Sequence, residues 1–239
     1  VFVTAIMLKN HDSFKPKKGS LPSLVCRAIF GTIGLVSNFY AIDRLVLADA
    51  NMLNKLSPFF AIIFSVFLLG EKPTLVQLLG VLAAFVGSIF IIKPTGGSYA
   101  VFPAFIGVLG GFGAGVAYTF VRRLGKMGEN SSVIIFFFSA FSCLVCLPFM
   151  LSNLSVMSLK SFLCLIGAGA SACIGQFGIT RAYICAPAKE ISVYDYTQVI
   201  FAAIFGFFFF GQVPDIFSVV GYILICGAGI AMFLYNRNR

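Results

Sequence analysis

FAIIFSVFLLGEKPTLVQLLG at residues 60–80 and FAAIFGFFFFGQVPDIFSVVG at residues 201–221 are two versions of one pattern. A shift of 141 residues carries Phe60, Ala61, Ile63 and Phe64 onto Phe201, Ala202, Ile204 and Phe205. The same shift carries Phe67 onto Phe208, Gly70 onto Gly211, Pro73 onto Pro214 and Gly80 onto Gly221. Upstream, without a gap, it places Ile33, Gly34 and Ala41 on Ile174, Gly175 and Ala182. Phe-rich segments match one another here and there by chance. Chance does not also keep a G-x-x-P turn and the glycine beyond it at a single offset. The chain therefore reads as two related halves.

Around these two stretches the sequence is a series of long apolar runs. Eight are long enough to span a bilayer, at 24–46, 50–70, 75–92, 102–121, 132–151, 162–184, 191–211 and 216–235. A bilayer core requires about 20 apolar residues as a helix. The first residues, VFVTAIML, fall short of that and read as the tail of a further helix. Continuous runs favour helices over a barrel, whose strands alternate apolar and polar residues. A helix also satisfies its own backbone hydrogen bonds where no water can. The 239 residues are 59% hydrophobic and only 10% charged, with mean hydropathy +1.00. A soluble domain carries about 25% charged residues, so lipid is the expected surroundings.

The net charge of +9 does not form a nucleic-acid surface. Its Lys and Arg sit mainly between the apolar runs. If side A holds the first loop, that side receives Lys9, Lys15, Lys17, Lys18, Arg27, Lys72, Arg122, Arg123, Lys126, Arg181, Lys189, Arg237 and Arg239. Side B receives only Arg44, Lys55, Lys93 and Lys160. Basic residues mark the cytoplasmic side, which places side A and the C-terminus in the cytoplasm, as in an integral protein of a bacterial inner membrane. Moving from one repeat to the next crosses five spans. An odd number makes the halves point in opposite directions, the arrangement that lets one half of a secondary transporter rock against the other around a midplane site.

The segments NFYAIDRLVLADANMLNKLSPFFAIIFSVFLLGEKPTLVQLLGVLAAFVGSIFII and GQFGITRAYICAPAKEISVYDYTQVIFAAIFGFFFFGQVPDIFSVVGYILICGAGI share a polar helix start, an apolar run, a Gly turn with a nearby Pro and a final Gly-bearing helix. In this they resemble EamA domains of the drug/metabolite transporter superfamily, over nearly the whole chain. Gly70-Glu71 fits the turn pattern, whereas Gln212 stands where a second Glu usually sits, which puts the role of a turn carboxylate in the second half in doubt. The resemblance implies an all-α polytopic membrane protein with a ten-helix, inverted-repeat (5+5) transporter fold and cytoplasmic termini. Residues 1–93 would be a first repeat comprising the end of helix 2 and helices 3–5, and residues 94–239 a second repeat with helices 6–10. Roughly the first one and a half helices, about 50 residues, would then precede Val1.

Polar groups inside a membrane cost at least about 2.5–3.5 kcal/mol when charged, so each is a candidate. In ADANMLNKLSP, Asn51, Asn54, Lys55 and Pro58 fall near one helical face. Lys55 is either a substrate-facing cation for a carboxylate or phosphate, or a side chain that snorkels to the surface. The repeat counterpart, EISVYDYTQV, holds Glu190, Tyr194, Asp195, Tyr196 and Gln198, with Asp195 on Asn54 and Tyr196 on Lys55. Asp195 and Tyr196 read as cavity walls, Lys189 and Glu190 as charges at the cytoplasmic end. Asn38 and Gln176 lie deep enough to line a cavity or to bond across helices. Tyr118 is a further cavity candidate. Asp43 and Arg44 belong at the interface, and Arg122 and Arg123 read as topology determinants. Gly107, Gly111 and Gly115, four residues apart, make a close-packing face.

Several chemistries are disfavoured. The one histidine, His11, is in a loop, and Asp49 with Asp195 makes a poor aspartyl pair. There is no nucleotide-binding G-x-x-x-x-G-K-[ST]. Cys143 and Cys146 form C-x-x-C without a partner pair, so the seven cysteines read as buried, small apolar side chains. No enzyme, metal, cofactor or nucleic-acid partner is expected. The reading is a secondary transporter of a small metabolite, amino-acid-like or otherwise polar or amphipathic, working by alternating access. Its partners would be that solute and membrane lipids, with coupling to protons or another ion and homodimerisation both open. A non-transporting scaffold and a flippase-like lipid carrier are the alternatives.

Overall fold

A computed structural model describes residues 2–9, 14–92, 98–152, 158–195 and 197–237. Its elements are α1 (Phe2–Lys9), α2 (Leu21–Arg44), α3 (Leu47–Asn54), α4 (Ser57–Leu69), α5 (Leu75–Ile92), α6 (Ser98–Lys126), α7 (Ser131–Ser152), α8 (Leu159–Cys185), α9 (Ala188–Asp195), α10 (Thr197–Phe210) and α11 (Ile216–Arg237). Among the described residues there is no strand. Seven segments are long and apolar enough to cross a membrane, with Leu47–Leu69 counted across α3 and α4; Thr197–Phe210 is a shorter apolar helix. The expected span at 75–92 matches α5, and the others agree within a few residues apart from two.

Of those two, the one at 50–70 is interrupted, and the one at 191–211 is described as two segments, α9 and α10. The first breaks after Asn54, where Lys55 takes φ −72°, ψ 4°, and restarts at Ser57. Pro58 sits in the opening turn of α4. It has no N–H to give the carbonyl four residues back, and its ring crowds that carbonyl. The helix therefore stops before it and a new one starts with proline where its missing donor costs nothing. The second is described on either side of residue 196, as α9 and α10. The 141-residue shift carries the start of α3, Leu47, onto the start of α9, Ala188.

The turn glycines also match. Gly70 and Gly211 close α4 and α10 with φ of +67° and +62°, a left-handed conformation open to glycine at little cost. Beyond these turns α5 and α11 pack on each other. A Cβ on Gly221 would stand 2.7 Å from the Gly87 carbonyl oxygen, and one on Gly80 would stand 3.8 Å from that of Ala228. The shift sends Gly80 to Gly221 and Gly87 to Ala228, so these two contacts exchange under it.

Helix α6 runs through the middle, against α2 on one side and α3 and α4 on the other. Glycines on both faces allow this. On the first, a Cβ on Gly113 would lie 2.8 Å from the Gly34 amide nitrogen. On the second, Gly111 and Gly115 face the Leu53 and Ser57 carbonyls at 2.8 and 2.5 Å from such an atom, and Gly107 faces Leu53. The expected Gly107, Gly111, Gly115 face thus packs on the broken helix and brings its break beside α6. Helix α8 touches α6 and α7, while its stretch Leu159–Gly169 is exposed.

The cysteines correct an expectation. Cys143, Cys164 and Cys185 are exposed and the other four are half-buried; an exposed thiol on a helix meets lipid as readily as an apolar side chain would, while Cys173 and Cys226 pack against buried apolar clusters.

Candidate functional site

The break between α3 and α4 opens onto a cavity of about 600 Å3, bounded by the middle of α2, α6 and α8. Asn54 and Lys55 line it from the break, Asp195 from the end of α9 and Gln198 from the start of α10, and Asn38, Tyr118 and Gln176 from the three long helices. Helices leave their last carbonyls and first amides unpaired at a break. That polarity is tolerated at membrane depth where it lines a cavity. Seven of the ten side chains expected to meet a solute therefore share this space.

Lys55 does not snorkel outward. Only 6% of it is exposed, and Nζ donates to Gln198 Oε1 at 2.5 Å. Gln198 Nε2 in turn donates to Asn51 Oδ1 at 3.1 Å, and Asn51 Nδ2 donates to the Leu47 carbonyl at 2.8 Å. Asn51 is thus placed behind the cavity as a support, one step removed from its wall. Lys55 and Asp195 interact electrostatically across the space. Tyr118 is within electrostatic reach of both Asp195 and Arg27. Gln176 Nε2 donates to Thr180 Oγ1 at 3.1 Å. Asn38 keeps a buried Oδ1 with no protein partner.

One expectation falls elsewhere. Tyr194 is exposed and lies edge-on to Phe233 with ring centres 6.0 Å apart. It lines a neighbouring cavity of about 750 Å3, on which Asp195 also borders. Tyr196 lies outside the described residues, as do His11, Lys93 and Arg239.

Arg27 corrects the charge count. Counted with the side-A charges, it is buried nearly two turns beyond the start of α2, with 3% exposure. It lines the cavity. Its guanidinium carbon lies 4.2 Å from the centre of the Phe138 ring, a cation–π contact. Gly31 leaves the room, since a Cβ there would come within 2.0 Å of Arg27 Nη1. The sequence signal was present: the pair Arg27 and Gly31, four residues apart, one helical turn into an apolar run.

Arg122 is also more than a topology marker. Nη1 donates to the Ile184 carbonyl at 2.7 Å, tying α6 to the end of α8. It borders a separate cavity of about 400 Å3 near the Gly70–Pro73 turn, with Glu71, Lys72 and Glu190. Tyr118 lines this cavity as well as the central one, and it stacks on Tyr183 with ring centres 4.3 Å apart and planes 13° from parallel. The stacked pair stands between the two spaces. Lys126 bonds Glu71 at 3.1 Å at the rim. Gln212, in the equivalent turn, accepts from the Leu47 amide at 2.9 Å. It caps α3, a task its amide performs without a carboxylate.

The sequence profile of the EamA-like transporter family matches residues 1–93 and 101–235. A pseudopaline exporter of Pseudomonas aeruginosa strain UCBPP-PA14 is 36% identical over 215 residues, spanning 89% of this chain and 75% of that protein. An uncharacterized transporter of Helicobacter pylori strain 26695 is 28% identical over 233 residues, spanning 92% and 78%. A riboflavin transporter of Brucella anthropi is 26% identical over 210 residues, spanning 86% and 74%. One solved structure, titled only as the crystal structure of a protein, aligns over 98% of this chain and 84% of its own with TM-score 0.69 and 19% identity, which establishes the shared fold.

Proposed function

We propose, from the premise that this chain belongs to the EamA-like transporter family and is an integral membrane transporter rather than an enzyme, that it carries a small polar or amphipathic metabolite through the central cavity beside the α3–α4 break. The observation that carries this reading is the convergence of Lys55, Asp195, Gln198, Asn54 and Asn38 on one space. Charged and amide groups gathered within apolar helices are costly unless they serve a solute.

Alternating access is the mechanism this arrangement supports. The residues come from both halves of the chain, and the halves meet through the packed pairs α2–α6, α4–α6 and α5–α11 as well as through hydrogen bonds between Lys55, Gln198 and Asn51. Rocking one half against the other would pivot on these glycine-lined helix contacts and break or remake the polar ones at the cavity. The matching starts of α3 and α9, the matching turns and the exchanging α5–α11 contacts support two inverted repeats of five helices each. Asp195, beside Lys55, is the group suited to proton coupling. The bias of basic residues supports an inner-membrane orientation with the C-terminus in the cytoplasm.

The test reconstitutes the full-length protein into liposomes loaded with a cellular metabolite extract, then imposes a proton or sodium gradient. We expect one chemical class of small solute to be redistributed only where the protein is present. If no solute moves with either gradient, or by exchange against external extract, transport of a small metabolite is refuted.

A further inference from the structure

We propose that the central cavity selects a zwitterion carrying one more anionic group than cationic groups, with Arg27 docking the distal anion. The inference rests on the transport reading above and narrows it to a substrate class. Among the described residues, the charged side chains lining the cavity are Arg27, Lys55 and Asp195: two cations and one anion.

They form two poles. Lys55, at the α3–α4 break, and Asp195, on α9, interact with each other, and a Lys–Asp pair complements an amino-carboxylate head, the ammonium toward Asp195 and the carboxylate toward Lys55. Arg27 stands apart, beside Phe138 and Tyr118. Its Nε is buried without a protein partner, although a guanidinium has five N–H donors and is always charged. A buried donor left unpaired is costly, and a planar fork of donors matches a carboxylate or phosphate in two-bond geometry. Phe138 stacks on the guanidinium while Gly31 makes room for it, so the side chain is held in place before a solute arrives. Asn38 Oδ1, also buried and without a protein partner, borders the same cavity as an acceptor for a donor on the solute. A volume of about 600 Å3 falls within the range of sites that hold small organic ligands, enough for a molecule with charge at both ends.

The experiment uses the full-length protein in liposomes and matched acid–amide pairs of two sizes, glutamate with glutamine and γ-glutamylglutamate with its terminal amide, alongside lysine and glucose. The expected result is an uptake KM at least tenfold lower for the acid than for the amide in one or both pairs. Arg27→Gln should collapse that ratio toward one, while Arg27→Lys retains part of it; a thermal transition in detergent establishes that each variant is folded. Uptake with amide, lysine or glucose equal to or preferred over acid, or an acid preference that survives in Arg27→Gln, overturns the charge assignment and leaves transport standing. If folded protein takes up none of these solutes and fails on the metabolite extract as well, the transport reading itself falls, and the substrate class with it.

Discussion

Replacing Lys55 by Met separates the contribution of this lysine to folding from its contribution to transport. The wild-type ammonium is 6% exposed and donates to Gln198 at 2.5 Å. Removing a hydrogen bond to a charged group costs about 1.5–3 kcal/mol. Removing the buried charge recovers about 2.5–3.5 kcal/mol of insertion cost. The two nearly cancel, and methionine keeps the volume and flexibility of the stem. Gln198 borders the cavity, so its freed oxygen can be hydrated. The expected change in stability is within about 1–2 kcal/mol, the amount left when those opposing terms are combined. The solute, by contrast, loses a charged partner in a desolvated site, which costs about 2–5 kcal/mol, or about 30- to 4,000-fold in apparent affinity at 1.4 kcal/mol per tenfold. Thermal unfolding in detergent and uptake at matched protein levels in liposomes read the two effects. A variant that unfolds far below the wild type would show that Lys55 is a structural cross-link. A variant that transports with wild-type KM and rate would remove Lys55 from the solute path.

Three other perturbations have definite expectations. Gly115→Ala, which places a methyl group 2.5 Å from the Ser57 carbonyl oxygen, should destabilise by about 1–3 kcal/mol through overpacking, whereas Gly167→Ala meets nothing within 4 Å and should be neutral or gain up to about 1 kcal/mol of helix propensity; equal unfolding temperatures for the two would contradict the packing described for α6. Tyr118→Ala removes the ring stacked on Tyr183 between two cavities and should raise passive solute leak while lowering gradient-driven accumulation, with Tyr118→Phe near wild type in both; flux assays with and without an imposed gradient check this. Gln212→Leu should lose about 0.5–1.5 kcal/mol, the net value of one hydrogen bond, because the Leu47 amide loses its acceptor, and Gln212→Glu should keep that stability, as read from detergent melts of both variants.

Much of this protein is legible in one dimension. Apolar runs of bilayer length dictate helices, since only a helix or a closed barrel satisfies the backbone in lipid. The 141-residue offset, with its Gly and Pro landmarks, is read from the sequence before any contact is known. Lys55, Asp195, Gln198 and Asn38 stand out because charge and amide are costly at that depth, and hydrophobicity alone marks them. Turn glycines announce their role because few other residues adopt that conformation.

The rest depends on which faces meet. A window of hydropathy averages over a two-residue interruption, so the break at Lys55 is invisible to it, although Pro58 hinted at it. Charge counting treats every arginine near a helix end alike; Arg27 and Arg122 become different only when Gly31, Phe138 and the Ile184 carbonyl are brought beside them. Tyr194 and Asp195 are adjacent in the chain, yet one turns toward Phe233 and the other toward Lys55, because consecutive residues on a helix diverge by about 100°. Sequence composition and periodicity determine the solvent and the element type. Only the tertiary structure determines which polar groups share a space, because that proximity is set by side chains from distant helices packing through glycine faces.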